Sequence, residues 1–328
     1  MRRDLAVLLV AAIMALGAIS APHAQAAGSS GKLKVVASFS ILRDLVAHVG
    51  GDRVEVSALV GRGADAHVYA PTPRDAKIVA AAGLIVVNGL GFEGWMARLL
   101  QASATQALVV AASAGVVPLP PPSSPLHVKE GQSKYLPPLA REGTVRSRFG
   151  NAAAGLDPHA WQSVHNAEIY VSNIRDGLIR ADPEGRATYE ANATAYIEEL
   201  ARLDADIRRA VATIPPARRK VITTHEAFEY FAADYGIAFI AAQGLSTETE
   251  PSARDIARII RAIREENIPA LFFESAVDPR LVKRIAAETG ARIGGTLFAD
   301  TLTAPAGPAP TYVDMMRHNV REIVEALK

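Results

Sequence analysis

Four side chains that can bind a metal ion lie where apolar, strand-like runs of the sequence end. They are His67, His159, His225 and Asp300. Three neutral imidazoles and one carboxylate are the ligand set expected for a tetrahedral divalent ion of intermediate softness, zinc before manganese. No local motif such as His-Glu-x-x-His brings two of them together in the sequence. The prediction of a metal site therefore depends on the elements that position these residues.

Strand-like and helix-like patterns alternate along most of the chain. Strands separated by helices of about ten residues indicate βαβ units and parallel sheets covered on both faces. About 300 residues beyond the N-terminal segment are too many for one ordinary core, so two lobes are predicted. The fold class is therefore α/β with two lobes, each a mostly parallel sheet flanked by helices. The predicted strands cover 33–38, 54–60, 84–87, 107–111, 220–223, 237–241, 270–274 and 292–297.

The first 26 residues have the pattern of a secretory signal peptide. Arg2 and Arg3 precede an apolar run, and Ala24-Gln25-Ala26 is a small-x-small cleavage site. The alternative is a membrane anchor, but the apolar run is short and no stop-transfer segment follows residue 30. The sequence contains no cysteine, which excludes disulfides, thiolate ligands and a lipid anchor on cysteine. We therefore expect a soluble periplasmic protein.

The charge balance argues against polyanionic partners. The whole sequence has 35 Lys plus Arg and 34 Asp plus Glu, and loss of Arg2, Arg3 and Asp4 with the signal peptide would make the two numbers equal. No basic excess points to nucleic acid or to an anionic membrane surface. We expect a monomer that binds neither.

The composition also predicts the boundaries of the lobes. Residues 118–155 contain seven prolines and little apolar periodicity, which predicts a long mobile loop. The segment after His159 is periodic to about Arg180 and precedes a second, longer helix. The predicted organisation is a signal peptide at 1–26, an N-terminal α/β lobe at 27–163, a connector helix at 164–181 and a C-terminal α/β lobe at 182–328.

Three of the four candidate ligands follow predicted strands directly or after a short loop. His67 comes after strand 54–60, His225 after strand 220–223 and Asp300 after strand 292–297. Open α/β sheets bind ligands at the carboxyl ends of their strands, and two lobes that face each other there form a cleft.

A helix is predicted to start at His225. Thr223 would be its N-cap and Glu226 would complete a capping box, so the helix N-terminus should keep the His225 imidazole neutral. Asp157, beside Pro158, is interpreted as a turn former. His23 belongs to the predicted signal peptide, and the other histidines are assigned to structural or solvent-exposed positions: His48, His127, His165 and His318.

Five motifs resemble, in order, the zinc and manganese solute-binding proteins of bacterial ABC importers, the cluster A-I family. They are Ala64 to Pro73, Asp157 to Trp161, Thr224 to Phe231, Gly244 to Ser252 and Phe298 to Leu302. The resemblance covers nearly the whole chain after the signal peptide. It implies two α/β lobes joined by a long connector helix, with one ion in the cleft between them. Carried over to this sequence, the N-lobe ligands are His67 and His159, and the C-lobe ligands are His225 and Asp300.

The resemblance also indicates the metal and the function. Zinc-type members have histidine at the position of His225, whereas manganese-type members tend to have glutamate, which suits a harder ion. The prediction is a periplasmic receptor, not an enzyme, that delivers Zn²⁺ to the permease of an ABC importer, with a periplasmic metallochaperone as an additional candidate partner. The alternatives are a Mn²⁺ receptor of the same family and a secreted zinc hydrolase. A hydrolase needs an open coordination position for water, which four protein ligands would fill. A receptor for a chelated metal or an organic solute is a third alternative.

Overall fold

The computed structural model describes residues 31–120 and 156–328. The predicted signal peptide at 1–26 lies outside these residues, as does almost all of the predicted loop at 118–155. In the described ranges, no helix is both long enough and apolar enough to cross a membrane.

The first lobe is a parallel sheet of four strands in the order β2-β1-β3-β4. Its central strands are almost entirely apolar and buried, as expected for a sheet that is covered on both faces. The strands are β1 (Leu33–Phe39), β2 (Val54–Val60), β3 (Leu84–Val87) and β4 (Leu108–Ala111). The helices are α1 (Ser40–Gly50), α2 (Pro73–Ala80), α3 (Met96–Ser103) and α4 (Val164–Ala181).

The second lobe repeats this arrangement with the strand order β6-β5-β7-β8, again all parallel. Its strands are β5 (Lys220–Thr223), β6 (Ala238–Ala241), β7 (Ala270–Glu274) and β8 (Arg292–Leu297). Its helices are α6 (Glu229–Tyr235), α7 (Ala253–Glu266), α8 (Arg280–Thr289) and α9 (Tyr312–Leu327). The predicted fold class, with two α/β lobes built on parallel sheets, is confirmed.

The two lobes are joined by α5 (Arg186–Ala212), a helix of 27 residues. It contacts α1 and α4 of the first lobe and α6 and α9 of the second. The predicted connector at 164–181 is a helix over those residues, but it packs against β3 and β4 of the first sheet. The long helix that joins the lobes is therefore the next one along the chain, and the boundaries at 163 and 181 remain a proposal.

The helix predicted to start at His225 begins later, at Glu229. There, as before α3 in the first lobe, an acidic side chain binds backbone N–H groups at the end of a strand. Glu93 accepts from Asn88 and Gly89, and Glu274 accepts from Thr224 and His225.

Candidate metal centre

The four predicted ligands converge at the interface of the two lobes. One ligand atom from each of His67, His159, His225 and Asp300 lies within 4.8 Å of the other three. The His67 and His159 Nε2 atoms are 3.3 Å apart. Asp300 Oδ2 is 3.3 Å from His67 Nε2 and 3.2 Å from His225 Nε2, and Asp300 Oδ1 is 3.7 Å from His159 Nε2. The carboxylate thus lies among the three imidazoles.

All four side chains are buried or nearly buried. The side chains of His159 and His225 have no exposed area, and those of His67 and Asp300 are 5% and 10% exposed. His67 lies between β2 and α2, His159 just before α4, His225 after β5 and Asp300 after β8. The loops that bear His67, His225 and Asp300 all leave carboxyl ends of parallel strands, as the sequence predicts.

A buried carboxylate orients the His159 ring. Asp157 Oδ1 accepts a hydrogen bond from the His159 backbone N–H at 2.9 Å and contacts His159 Nδ1 at 2.7 Å. Both side chains are fully buried. The backbone bond is the local turn that the sequence predicts for Asp157. The ring contact, which is not predicted from the sequence, turns Nε2 toward the other candidate ligands.

A second carboxylate, from the neighbouring strand, orients the His225 ring. Glu274 is the last residue of β7, which pairs with β5. Its Oε1 accepts from the backbone N–H groups of Thr224 at 2.5 Å and His225 at 2.9 Å, and its Oε2 contacts His225 Nδ1. Glu274 is not among the residues predicted from the sequence. The sequence pattern that could identify it is an acidic residue at the end of an otherwise apolar strand, at the same sheet edge as a candidate ligand.

The capping box predicted around His225 is absent, because α6 begins only at Glu229. Thr223 instead donates from its hydroxyl to the His225 carbonyl at 3.3 Å. Burial alone would lower the pKa of His225, but Glu274 and Asp300 together raise it well above its usual value. The prediction that a helix N-terminus keeps this imidazole neutral is therefore wrong, because nearby carboxylates and not helix N–H groups surround the ring.

The charge of Asp300 is stabilised by the histidines. Burial alone would raise the pKa of Asp300, but His225 and His159 lower it well below its usual range. Even so, Asp300 Oδ1 and His225 Nε2 are buried without a hydrogen-bond partner of acceptable geometry among the described residues. Buried polar atoms without partners are costly. A divalent cation bound by the nitrogens and the carboxylate would supply the missing partner, so the donor set fits such an ion.

Several hydrogen bonds cross between the lobes beside this cluster. Trp161 Nε1 and Gln162 Nε2 both donate to the carbonyl of Ala299, at 2.9 and 2.8 Å. Asp65 accepts from the His67 backbone N–H at 2.8 Å and from the Thr247 hydroxyl of the second lobe at 2.6 Å. Residues next to the candidate ligands His67 and Asp300 are therefore hydrogen-bonded to the opposite lobe.

The remaining histidines in the described residues lie apart from the cluster. His48 Nδ1 contacts the Asp44 carbonyl, and His318 Nε2 contacts the Thr296 carbonyl, each at 2.9 Å. His165 is exposed beside Glu168. His127 lies outside the described residues.

The fold and the site define a two-lobed protein with a buried candidate cation site where the lobes meet. The family model of the zinc-uptake complex component A, periplasmic (ZnuA), matches residues 35–326. The iron-binding protein YfeA of Yersinia pestis is 33% identical over 294 residues, which cover 90% of this chain and 86% of that protein. The manganese-binding lipoprotein MntA of Halalkalibacterium halodurans is 32% identical over 321 residues, which cover 98% and 97%.

Solved structures agree with these sequence matches. The periplasmic zinc-binding protein TroA of Treponema pallidum superposes with a TM-score of 0.77 at 29% identity, covering 90% of this chain and 99% of that chain. The chain therefore belongs to the ZnuA family of metal-binding receptors of ABC importers, which confirms the resemblance seen in the sequence. It is a receptor and not an enzyme, so the zinc hydrolase alternative is set aside. The named relatives bind iron, manganese or zinc, so similarity supports a divalent metal without distinguishing among these ions.

Proposed function

We propose that the chain is a periplasmic receptor that binds Zn²⁺ through His67, His159, His225 and Asp300 and delivers it to the permease of an ABC importer. The observation that carries this proposal is the convergence of three Nε2 atoms and one carboxylate in a buried site between two lobes. Two of the converging atoms, His225 Nε2 and Asp300 Oδ1, have no hydrogen-bond partner in the described ranges. A bound cation would satisfy both.

The ligand types favour zinc over manganese. Zinc is commonly bound by four protein ligands in tetrahedral geometry, and imidazole nitrogens suit it well. Manganese prefers oxygen ligands and more of them. A manganese receptor remains the second candidate. It is favoured by the anionic character of the site, because Asp157 and Glu274 place two further carboxylates against the imidazoles.

The family and the sequence of this chain support a periplasmic setting. The matching family model is that of a periplasmic component of zinc uptake, and receptors of ABC importers serve a membrane permease with its ATPase. The relative MntA is a lipoprotein, whereas this chain has no cysteine that could carry a lipid. We propose a monomer released by cleavage of the signal peptide. A metallochaperone as the source of zinc remains a prediction.

Metal titration of single variants tests the ligand set. Alanine at any one of the four ligand positions should leave a folded protein with zinc affinity lowered by orders of magnitude, because water replaces a protein ligand in a closed site. Titration of metal-stripped protein with Zn²⁺ and with Mn²⁺, against a competing chelator, measures this, and circular dichroism checks the fold. His165→Ala, at an exposed histidine outside the cluster, is the matched control and should bind like the unmodified chain. Unchanged affinity in a ligand variant would remove that residue from the site.

A further inference from the structure

Glu274 contacts the candidate ligand His225 through both of its carboxylate oxygens. It ends β7, is only 4% exposed, and reaches across to the loop that follows β5. One of its oxygens accepts from the N–H groups of Thr224 and His225, and the other contacts Nδ1 of the His225 ring. A single carboxylate thus fixes both the backbone and the ring of His225.

This arrangement determines which ring nitrogen carries hydrogen. An ionised carboxylate offers only acceptors, so the nitrogen that faces it must carry a hydrogen. His225 must give up one proton to bind an ion, and because the carboxylate keeps the hydrogen on Nδ1, the lone pair of the neutral imidazole lies on Nε2. His225 Nε2 lies 3.2 Å from Asp300 Oδ2, inside the cluster. Contacts of this kind fix the tautomer and orientation of imidazoles that bind metals.

We infer that Glu274 is a positioning residue that presents the His225 Nε2 lone pair to the cargo ion. This inference rests on the proposed metal-binding function and adds to it a residue that does not itself contact the ion. The loop at His225 is not helical, because α6 begins four residues later. Its backbone is therefore held by the two bonds to Glu274, together with loop bonds such as Glu226 N–H to the Gly244 carbonyl, and not by helical hydrogen bonds.

Glu274→Gln tests the inference with little change in volume. The amide has one acceptor oxygen and one NH₂ donor, so it cannot accept from both the backbone and the ring. If its oxygen stays on the backbone, the NH₂ faces Nδ1 and favours hydrogen on Nε2, which blocks coordination. If the amide is reversed, the NH₂ faces two buried backbone N–H groups. In either case zinc affinity should fall about 10- to 100-fold, as for other residues that orient metal ligands.

Glu226→Gln is the matched control. Glu226 is the residue next to His225 and is half-buried, and its carboxylate makes no hydrogen bond to the His225 ring among the described contacts. Burial raises the pKa of Glu226 to about 7, so both variants are compared at about pH 8.5, where Glu226 carries its charge. At that pH this variant removes one negative charge near the site without altering the orientation of the imidazole. Its zinc affinity should stay within about threefold of the unmodified chain, about 0.7 kcal/mol. Equal losses in the two variants would show that net charge and not positioning is responsible.

Nuclear magnetic resonance of histidine ring nitrogens in the full chain supplies a measurement that a purely structural role would not change. In the zinc-loaded unmodified protein, His225 should bind through Nε2 and keep a slowly exchanging hydrogen on Nδ1. In Glu274→Gln this hydrogen should exchange faster or shift strongly. Coordination through Nδ1, or an Nδ1 hydrogen that exchanges as fast as that of exposed His165, would overturn the inference even if the variant does not fold.

The two proposals fail in different ways. If the unmodified chain does not bind Zn²⁺, the proposed function is wrong and the role of Glu274 falls with it. If the unmodified chain binds Zn²⁺ and Glu274→Gln binds it equally well with unchanged ring resonances, only the role of Glu274 is wrong.

Discussion

Replacement of Thr247 by valine tests whether a bond between the lobes controls the release of metal. The Thr247 hydroxyl, in the loop between β6 and α7, donates to Asp65 Oδ2 at 2.6 Å. The other oxygen of Asp65 accepts the backbone N–H of the candidate ligand His67 at 2.8 Å. One carboxylate therefore connects a ligand loop of the first lobe to a loop of the second. Valine keeps the shape of threonine and removes only the hydroxyl.

The size of the effect follows from the type of bond and its exposure. A hydrogen bond to a charged group contributes about 1.5 to 3 kcal/mol. Asp65 and Thr247 are both only half-buried, so water competes for them and the net contribution should be about 1 to 2 kcal/mol. If this bond must break before the ion leaves, its loss should speed release of zinc about 5- to 30-fold. Capture should change less, because the ligands themselves are intact.

Stopped-flow mixing of zinc-loaded protein with excess chelator measures the release rate. Thr249→Val is the matched control, because Thr249 lies in the same loop and is exposed. Among the described residues, its side chain makes no hydrogen bond, and its carbonyl accepts one from Gln243 Nε2. That variant should release zinc at the unmodified rate. A Thr247→Val rate equal to that of the unmodified chain, or equal acceleration in both variants, would refute a role for this bond.

Three further predictions concern the charges of the site. Zinc affinity should fall as the pH decreases from about 8 to about 6, because Glu274 and Asp300 raise the pKa of His225 and a proton therefore competes with the ion at higher pH than for an ordinary imidazole, whose pKa is about 6.5; calorimetric titration across this range would contradict the reasoning if the affinity stayed constant. His225→Glu should lower the ratio of zinc to manganese affinity by supplying a harder ligand, and competition titrations that show a constant or higher ratio would exclude ligand type as the determinant. Burial and the charge of Asp157 raise the pKa of Glu229 from 4.5 to about 7, so its ionisation opposes folding progressively as the pH rises through that interval. At about 1.4 kcal/mol per pH unit, reduced for partial exposure, Glu229→Gln should raise the free energy of unfolding by about 1 kcal/mol at about pH 8 and hardly at all near pH 4.5, and equal denaturant midpoints for variant and unmodified chain at the higher pH would contradict this.

The sequence predicts the fold well because the strands are short, apolar and separated by helices with recognisable ends. Thr72 and Asp75, for example, form a capping box at the start of α2, next to Pro73. The ligand positions also follow from sequence, since parallel strands deliver their carboxyl ends to one edge. That His67, His225 and Asp300 come together is thus a consequence of the alternation of strands and helices, whereas His159 follows no strand and is expected in the set from the family resemblance.

The surroundings of the ligands are less predictable because they depend on contacts distant in sequence. Glu274 is 49 residues from His225, and their contact arises only because β5 and β7 are neighbours in the sheet. Strand order in a lobe is not encoded in local periodicity. The same lack of long-range information explains the wrong helix start at His225, because Thr223 and Glu226 satisfy the local capping pattern while Glu274 binds the backbone instead.

The contact between Glu274 and His225 belongs to a structural feature that both lobes share. The sheets have the same strand order, so the third strand of each lobe lies beside the first. In the first lobe Glu93, soon after the third strand, accepts from the Ser38 hydroxyl and the Asn88 N–H, each at 2.6 Å. In the second lobe Glu274, at the end of the third strand, binds the residues that follow the first. In both lobes, therefore, a largely buried carboxylate accepts hydrogen bonds from donors at the carboxyl edge of the sheet, whether or not a candidate metal ligand follows the first strand. Orientation of the His225 imidazole adds to that structural role, because only in the second lobe does a candidate ligand follow the first strand.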